Sequence, residues 1–167
     1  MFGKNNLYNC EKELKVFIMK ICLVGSAGGH LTQLLQLQDL WNKYNSFYIT
    51  YKEKSSEKLA KKYKTYFVKD PLRNPLYFLL TVFQSLYIFL IENPDIIITT
   101  GAGVAIPITL LGKIFGKKIV FIESLSRVET PSITGKIVYP ISNLFLVQWK
   151  SLLKKYDQKA RYEGKLF

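Results

Sequence analysis

The chain has 167 residues, enough for one domain with a buried core, and at 49% apolar and 22% charged it reads as globular rather than disordered. Its formal net charge of +12 favours anionic partners: nucleic acid, an acidic membrane face or a phosphorylated substrate. The two cysteines, Cys10 and Cys22, have no C-x-x-C spacing, which argues against a zinc site or a disulfide framework and suits a reducing cytoplasm.

Residues 1–18 do not read as a signal peptide, because the apolar run that follows is broken by Lys20 and flows directly into a glycine loop. They are expected to be an N-terminal extension, either a short helix or without fixed structure, ahead of a single domain over 19–167. Residues 21–24 (ICLV) form a compact strand candidate. Leu31, Leu34, Leu35, Leu37 and Trp41 recur near helical spacing and predict a first helix over 31–41. A strand over 47–50, a lysine-rich helix over 56–62 and a brief strand over 66–68 follow. A long helix begins at Pro75, and DIIITT at 95–100 is the clearest strand of the chain. A helix over 104–115, with Pro107 tolerated in its first turns, precedes strands over 118–122 and 143–147. Buried β-branched runs alternating with helices predict an α/β fold, a parallel sheet with helices on both faces. In such sheets ligands bind at the edge where strands run into helices.

Three loops fall on that edge. The first, GSAGGH at 25–30, brings backbone freedom and a helix N-terminus together, a combination suited to a phosphate or diphosphate, although a plain tight turn explains the glycines equally well. It is neither a Walker A loop nor a dinucleotide fingerprint, since no Lys-Ser or Lys-Thr pair closes it and the glycine spacing differs from G-x-G-x-x-G. His30, the only histidine, sits at the first turn of the helix, where it could accept a proton from a sugar hydroxyl or, charged, hold a phosphate. The second loop, TTGAG at 99–103, offers hydroxyls and glycines at another strand end. The third, ESLSR at 123–127, supplies Glu123 as a base or hydroxyl ligand, or as an ion-pair partner of Arg127.

Between Arg73 and Glu92 the sequence NPLYFLLTVFQSLYIFLI carries no charge, and Tyr77, Thr81, Gln84 and Ser85 cluster on one weakly polar side. This helix is either buried in the core or lies partly in a bilayer interface. Lys52, Lys54, Lys58, Lys61, Lys62, Lys64, Lys69 and Arg73 form a basic belt just upstream, diluted by Glu53, Glu57 and Asp70. A belt beside an apolar helix suits an anionic membrane surface. Nucleic acid is not expected as a partner: no binding motif is present, and only Arg73, Arg127 and Arg161 among the cations are arginine.

Taken in order from about Met19 to the closing GKLF, the segments GSAGGHLTQLLQL, DIIITTGAGVAIP, FIESLSRV, SITGK and FLVQWKSLLKKY carry a resemblance. They resemble the polysaccharide-biosynthesis glycosyltransferase subunits of bacterial capsule and exopolysaccharide clusters. Their eukaryotic counterpart is the membrane-anchoring subunit of the two-component dolichol-diphosphate N-acetylglucosaminyltransferase. The resemblance implies a Rossmann-like unit equivalent to the N-terminal, acceptor half of a GT-B glycosyltransferase. It implies a membrane-associated subunit, on the cytoplasmic face, that handles a polyprenyl-diphosphate-linked saccharide while a separate donor-binding subunit brings the UDP-sugar. A non-catalytic scaffold that recruits such a transferase is the alternative. No resident cofactor or metal is expected. Carried onto this chain, His30 and Glu123 are the candidate catalytic residues, and Gly25, Ser26, Gly28, Gly29, Thr100, Gly101, Gly103 and Arg127 the candidate diphosphate ligands. Two departures stand out: Gln33 and Gln36 occur where many eukaryotic members have an acidic residue, and residues 1–18 lack a clear membrane anchor.

Overall fold

The computed structural model describes residues 19–71 and 74–167; the expected N-terminal extension over 1–18 and Arg73 of the basic belt lie outside the described residues. Apolar runs form the strands, and helices or short turns connect them. Strand β1 (Lys20–Val24) leads through a glycine loop into helices α1 (Gly29–Gln36) and α2 (Gln38–Trp41). Then come β2 (Asn45–Tyr51), α3 (Lys54–Ala60), β3 (Thr65–Val68) and the long α4 (Pro75–Glu92). Strand β4 (Ile96–Thr99), α5 (Ala105–Ile114), β5 (Lys118–Ile122), α6 (Ile133–Val138), β6 (Leu144–Leu146) and β7 (Ala160–Arg161) complete the order. Two 3₁₀ turns, Tyr139–Ile141 and Lys150–Lys155, flank β6.

Among the described residues all seven strands are parallel, in the order β3-β2-β1-β4-β5-β6-β7. The order reverses between β1 and β4, so the loops after β1, β4 and β5 stand side by side at one edge, the position where open α/β sheets bind ligands. One face packs Cys22, Val24, Phe47, Ile97 and Phe121 under α4, α5 and α6; the other packs Leu23 and Tyr48 under α1, α2 and α3. The sheet expected from the sequence is present, with two differences. The helix predicted over 31–41 breaks at Leu37, whose φ of −98° and ψ of 14° leave the helical well and whose N–H turns to Leu34 O. The seventh strand was missed because its two paired residues are too short to carry a pattern.

Helix α4 leaves an apolar stripe in the open. Asn74 Oδ1 caps it by accepting the Leu76 N–H at 2.9 Å, and Pro75 opens its first turn. Its inward face is mixed: Thr81 and Ser85 are fully buried, Ile88 and Phe89 join the core, and the Thr81 hydroxyl donates to Lys69 O at 2.7 Å, whereas Gln84 of the weakly polar side is exposed. The opposite stripe is greasy and open, with Leu76 63%, Phe83 60% and Tyr87 66% exposed, beside Leu79, Leu80, Leu90 and Ile91. By length and composition alone α4 is apolar enough to cross a membrane. It is therefore not the buried core helix that was one of the two expectations.

At the far end of α4, Glu92 is 3% exposed and receives Lys64 Nζ at 2.6 Å, Lys20 Nζ at 3.2 Å and the Tyr66 hydroxyl. Lys64 is thus committed to the fold rather than to a ligand. Burial alone would raise the Glu92 carboxyl, but the hydrogen bonds from Lys64, Tyr66 and Lys20 outweigh it and hold the group below the usual carboxylate range. A folded value below the unfolded one, about 4.3, stabilises the protein above that value and ceases to do so as the pH falls through the folded value. Urea midpoints are accordingly expected to hold from neutral pH down to about 5 and to fall in more acidic buffer. Glu92→Gln should lower the neutral-pH midpoint and flatten part of that acid limb; an unchanged limb would contradict this role.

Candidate functional site

The first loop divides into a packed part and an open part. Gly25 is buried, and a Cβ there would lie 3.2 Å from Leu34 Cδ1, 3.3 Å from Thr100 Oγ1 and 3.4 Å from His30 Cβ. Its glycine is needed for close approach of the two loops, not for a ligand. Gly28, at φ +87°, and Gly29 are exposed with open space around them. Gly28 is the glycine that the turn requires, since L side chains seldom adopt that φ. The Ser26 carbonyl accepts the Leu31 N–H and the Gly28 carbonyl accepts the Thr32 N–H, which begins the ladder of α1. The N–H groups of Gly29 and His30 precede that ladder and lie at the positive end of the helix.

His30 is half-buried between the first and second loops. Its carbonyl accepts the Thr100 hydroxyl at 3.0 Å, and its ring Cε1 lies 3.5 Å from where a Cβ on Gly101 would stand. Nδ1 is buried, with no hydrogen-bond partner among the described residues. Burial lowers the proton affinity of the ring; the Thr100 backbone and the Glu123 carboxylate offset this in part, and the Arg127 guanidinium lowers it further. The imidazole is therefore neutral at pH 7, the state a proton acceptor needs.

The second loop is less free than the sequence suggested. Thr100 is fully buried, and its hydroxyl is spent on His30 O; the Gly101 N–H donates to Thr99 Oγ1 at 2.9 Å. A Cβ on Gly103 would lie 3.0 Å from Pro71 Cγ, so that glycine admits Pro71 rather than a phosphate. Thr100 and Gly103, expected as diphosphate ligands, instead lock the rim together, as Gly25 does. What stays at the surface is a cradle of Ser26, Gly28, Gly29 and the His30 edge, with Gly101 as its floor.

Glu123 requires the largest correction. Expected as a base, a hydroxyl ligand or a partner of Arg127, it is 0% exposed and turned into the fold. Oε1 accepts the Ser124 N–H at 3.1 Å. Oε2 accepts the Ser132 N–H and hydroxyl, each at 3.2 Å, and the Tyr156 hydroxyl at 2.7 Å. Three of these donors lie nine or more residues away in sequence, so no local signal disclosed them. A carboxylate sealed from solvent and engaged at both oxygens does not reach an acceptor hydroxyl. Arg127 is exposed and forms no ion pair with it among the described residues.

The parallel seven-stranded sheet flanked by helices is the Rossmann-like fold of one half of a GT-B glycosyltransferase, and solved structures match that fold. MurG of Acinetobacter baumannii superposes with a TM-score of 0.69 at 12% identity, over 86% of this chain and 45% of that one. The UDP-N-acetylglucosamine 2-epimerase of Rickettsia bellii gives 0.69 at 12%, over 89% and 45%. The chain thus spans just under half the length of these structures. The family model described as "Oligosaccharide biosynthesis protein Alg14 like" matches residues 67–166, and the chain belongs to this family. It is 31% identical over 182 residues to the mouse "UDP-N-acetylglucosamine transferase subunit ALG14", covering 89% of this chain and 83% of that protein. The human protein of the same name is 29% identical over the same shares of each. The Schizosaccharomyces pombe protein is 46% identical over 76 residues, 42% of this chain and 36% of that one. These relatives are eukaryotic and lend no support to a capsule or exopolysaccharide setting.

Proposed function

We propose that this chain is the acceptor-binding, membrane-associated subunit of a two-chain glycosyltransferase in lipid-linked oligosaccharide synthesis. Residues 19–167 act as one domain; a donor-binding partner supplies a UDP-sugar, UDP-N-acetylglucosamine by analogy with the relatives' names. The acceptor is a polyprenyl-diphosphate-linked saccharide. One observation carries the reading: the open N-terminus of α1, with a neutral histidine beside it, shares a sheet edge with the start of α4, whose outward stripe is apolar. A diphosphate attached to a lipid needs both features, an anion cradle and an apolar face.

Gly28, Gly29 and Ser26 bind the diphosphate through the N–H groups and the positive end of α1. Arg127 adds charge. The acceptor hydroxyl attacks C1 of the donor sugar from the side opposite the departing UDP; the new C1–O bond forms as the C1–O bond to UDP breaks, with inversion. His30 takes the hydroxyl proton, and because burial keeps it neutral it is ready to do so at physiological pH. The exposed stripe of α4, continued by Leu110, Ile114 and Phe115, rests on the cytoplasmic leaflet, with Lys52, Lys54 and Lys69 following strand ends on the ligand edge.

The test has two arms. Purified chain with its donor-binding partner should transfer the sugar to a polyprenyl-diphosphate acceptor, and neither polypeptide alone should do so. Phe83→Glu, at an exposed position, should leave folding intact and lower partition onto vesicles containing anionic lipid about tenfold or more. Transfer by the isolated chain, or vesicle binding indifferent to Phe83→Glu, would refute the respective arm.

A further inference from the structure

Three residues of the weakly polar side of α4 have no part in the rim, yet all three meet at one point. Tyr77, Thr81 and Gln84 recur at helical spacing, and each contacts Lys69, the residue just past the edge strand β3. Gln84 Oε1 accepts the Lys69 N–H at 2.8 Å, and the Thr81 hydroxyl donates to Lys69 O at 2.7 Å. The Lys69 ammonium lies 4.7 Å from the centre of the Tyr77 ring. Two residues on, Pro71 is buried, and its Cγ lies 3.0 Å from where a Cβ on Gly103 would stand, against the second loop. Pro71 O also accepts the N–H of Asn74, the residue that caps α4.

This grip matters because the first half of α4 has little else to hold it. Over 75–84 only Thr81 is buried, whereas Ile88 and Phe89 reach the core farther along. Gln84 also borders the open stripe, with Leu80 a turn before it and Tyr87 a turn after it, both exposed.

We propose that Tyr77, Thr81 and Gln84 are positioning residues that clamp residues 69–71 between α4 and the second loop, and so fix the height of the rim above the surface on which the apolar stripe rests. The use of that height rests on the acceptor-binding reading above; the geometry of the clamp does not. A saccharide on a long polyprenyl chain is tethered to the bilayer and meets the cradle only at a set height. One on a short, water-soluble prenyl chain docks from solution and is indifferent to it.

Gln84 is exposed, so Gln84→Met removes the acceptor oxygen and leaves the fold intact. In hydrogen-exchange NMR of the full-length protein, the Lys69 amide of this variant should exchange about tenfold faster or more. Gln84→Glu, which keeps an oxygen at the same reach, should retain the native rate. In the assembled two-chain enzyme on phosphatidylcholine vesicles, Gln84→Met should raise KM for the long-chain acceptor several-fold with kcat little changed. KM for the short-chain acceptor and partition onto the vesicles should stay native, since the stripe around Phe83 is untouched. Native Lys69 exchange in Gln84→Met overturns the clamp, as does exchange in Gln84→Glu as fast as in Gln84→Met. A KM raised for both acceptors alike, or for neither, overturns the height-setting role. A native assembled enzyme that transfers to neither acceptor refutes the acceptor reading instead, and the clamp, read by exchange, then stands.

Discussion

Replacing His30 with alanine is expected to lower turnover of the assembled transferase by roughly 10²–10³-fold, the usual contribution of a positioned proton acceptor. Partner capture, vesicle binding and circular dichroism should not change, because the ring lies on the rim beside Gly101 rather than in any core cluster. The native enzyme should also show a rate that rises with pH to a plateau. With His30 as the proton acceptor proposed above, the neutral imidazole would be the active form, and because burial lowers its proton affinity the midpoint of kcat/KM is expected below the ordinary histidine value of about 6.5. A His30→Ala complex that turns over at the native rate would remove the chemistry from this chain and leave it a scaffold for its partner.

The second large effect is on stability and falls on a residue that touches no substrate. Gly135→Ala should destabilise the protein by about 3 kcal/mol, which for a domain of this size lowers Tm by roughly 10 °C. The added Cβ would lie 2.5 Å from Glu123 Oε2, 2.5 Å from the Tyr156 hydroxyl and 2.8 Å from Ser132 Oγ. None of these atoms is the free end of a flexible chain. Moving the Tyr156 hydroxyl breaks its bond to a buried carboxylate, and moving Ser132 releases the N-cap of α6, where Ser132 Oγ accepts the Gly135 N–H at 2.9 Å. Gly28→Ala is a useful contrast: its φ of +87° strains any side chain, but nothing lies within 4 Å, so the expected loss is only about 1 kcal/mol. A Gly135→Ala protein melting within about 2 °C of native would show that the Glu123 cluster yields readily.

The sequence alone settled the alternation of strands and helices, the parallel sheet, and the placement of three loops on one edge. Those features follow from local periodicity and from glycines at strand ends, both written along the chain. His30 was legible for the same reason: one titrating side chain directly after a glycine turn has a defined place once the flanking strand and helix are known. The polar side of α4 was also visible, but not the direction it faces. A period of 3.6 says that two faces differ, and only packing against the segment ending β3 decided that Thr81 and Ser85 go inward and Phe83 outward. Glu123 was misread because hydrogen-bond partners separated by nine and thirty-three residues leave no mark on nearby sequence. Gly25, Thr100 and Gly103 look alike on paper to Gly28 and Gly29. The approach of Leu34, His30 and Pro71 separates the glycines that let loops touch from those that stand in open space. Burial and contact are properties of the assembled sheet, and they divided a row of similar small residues into packed and open positions.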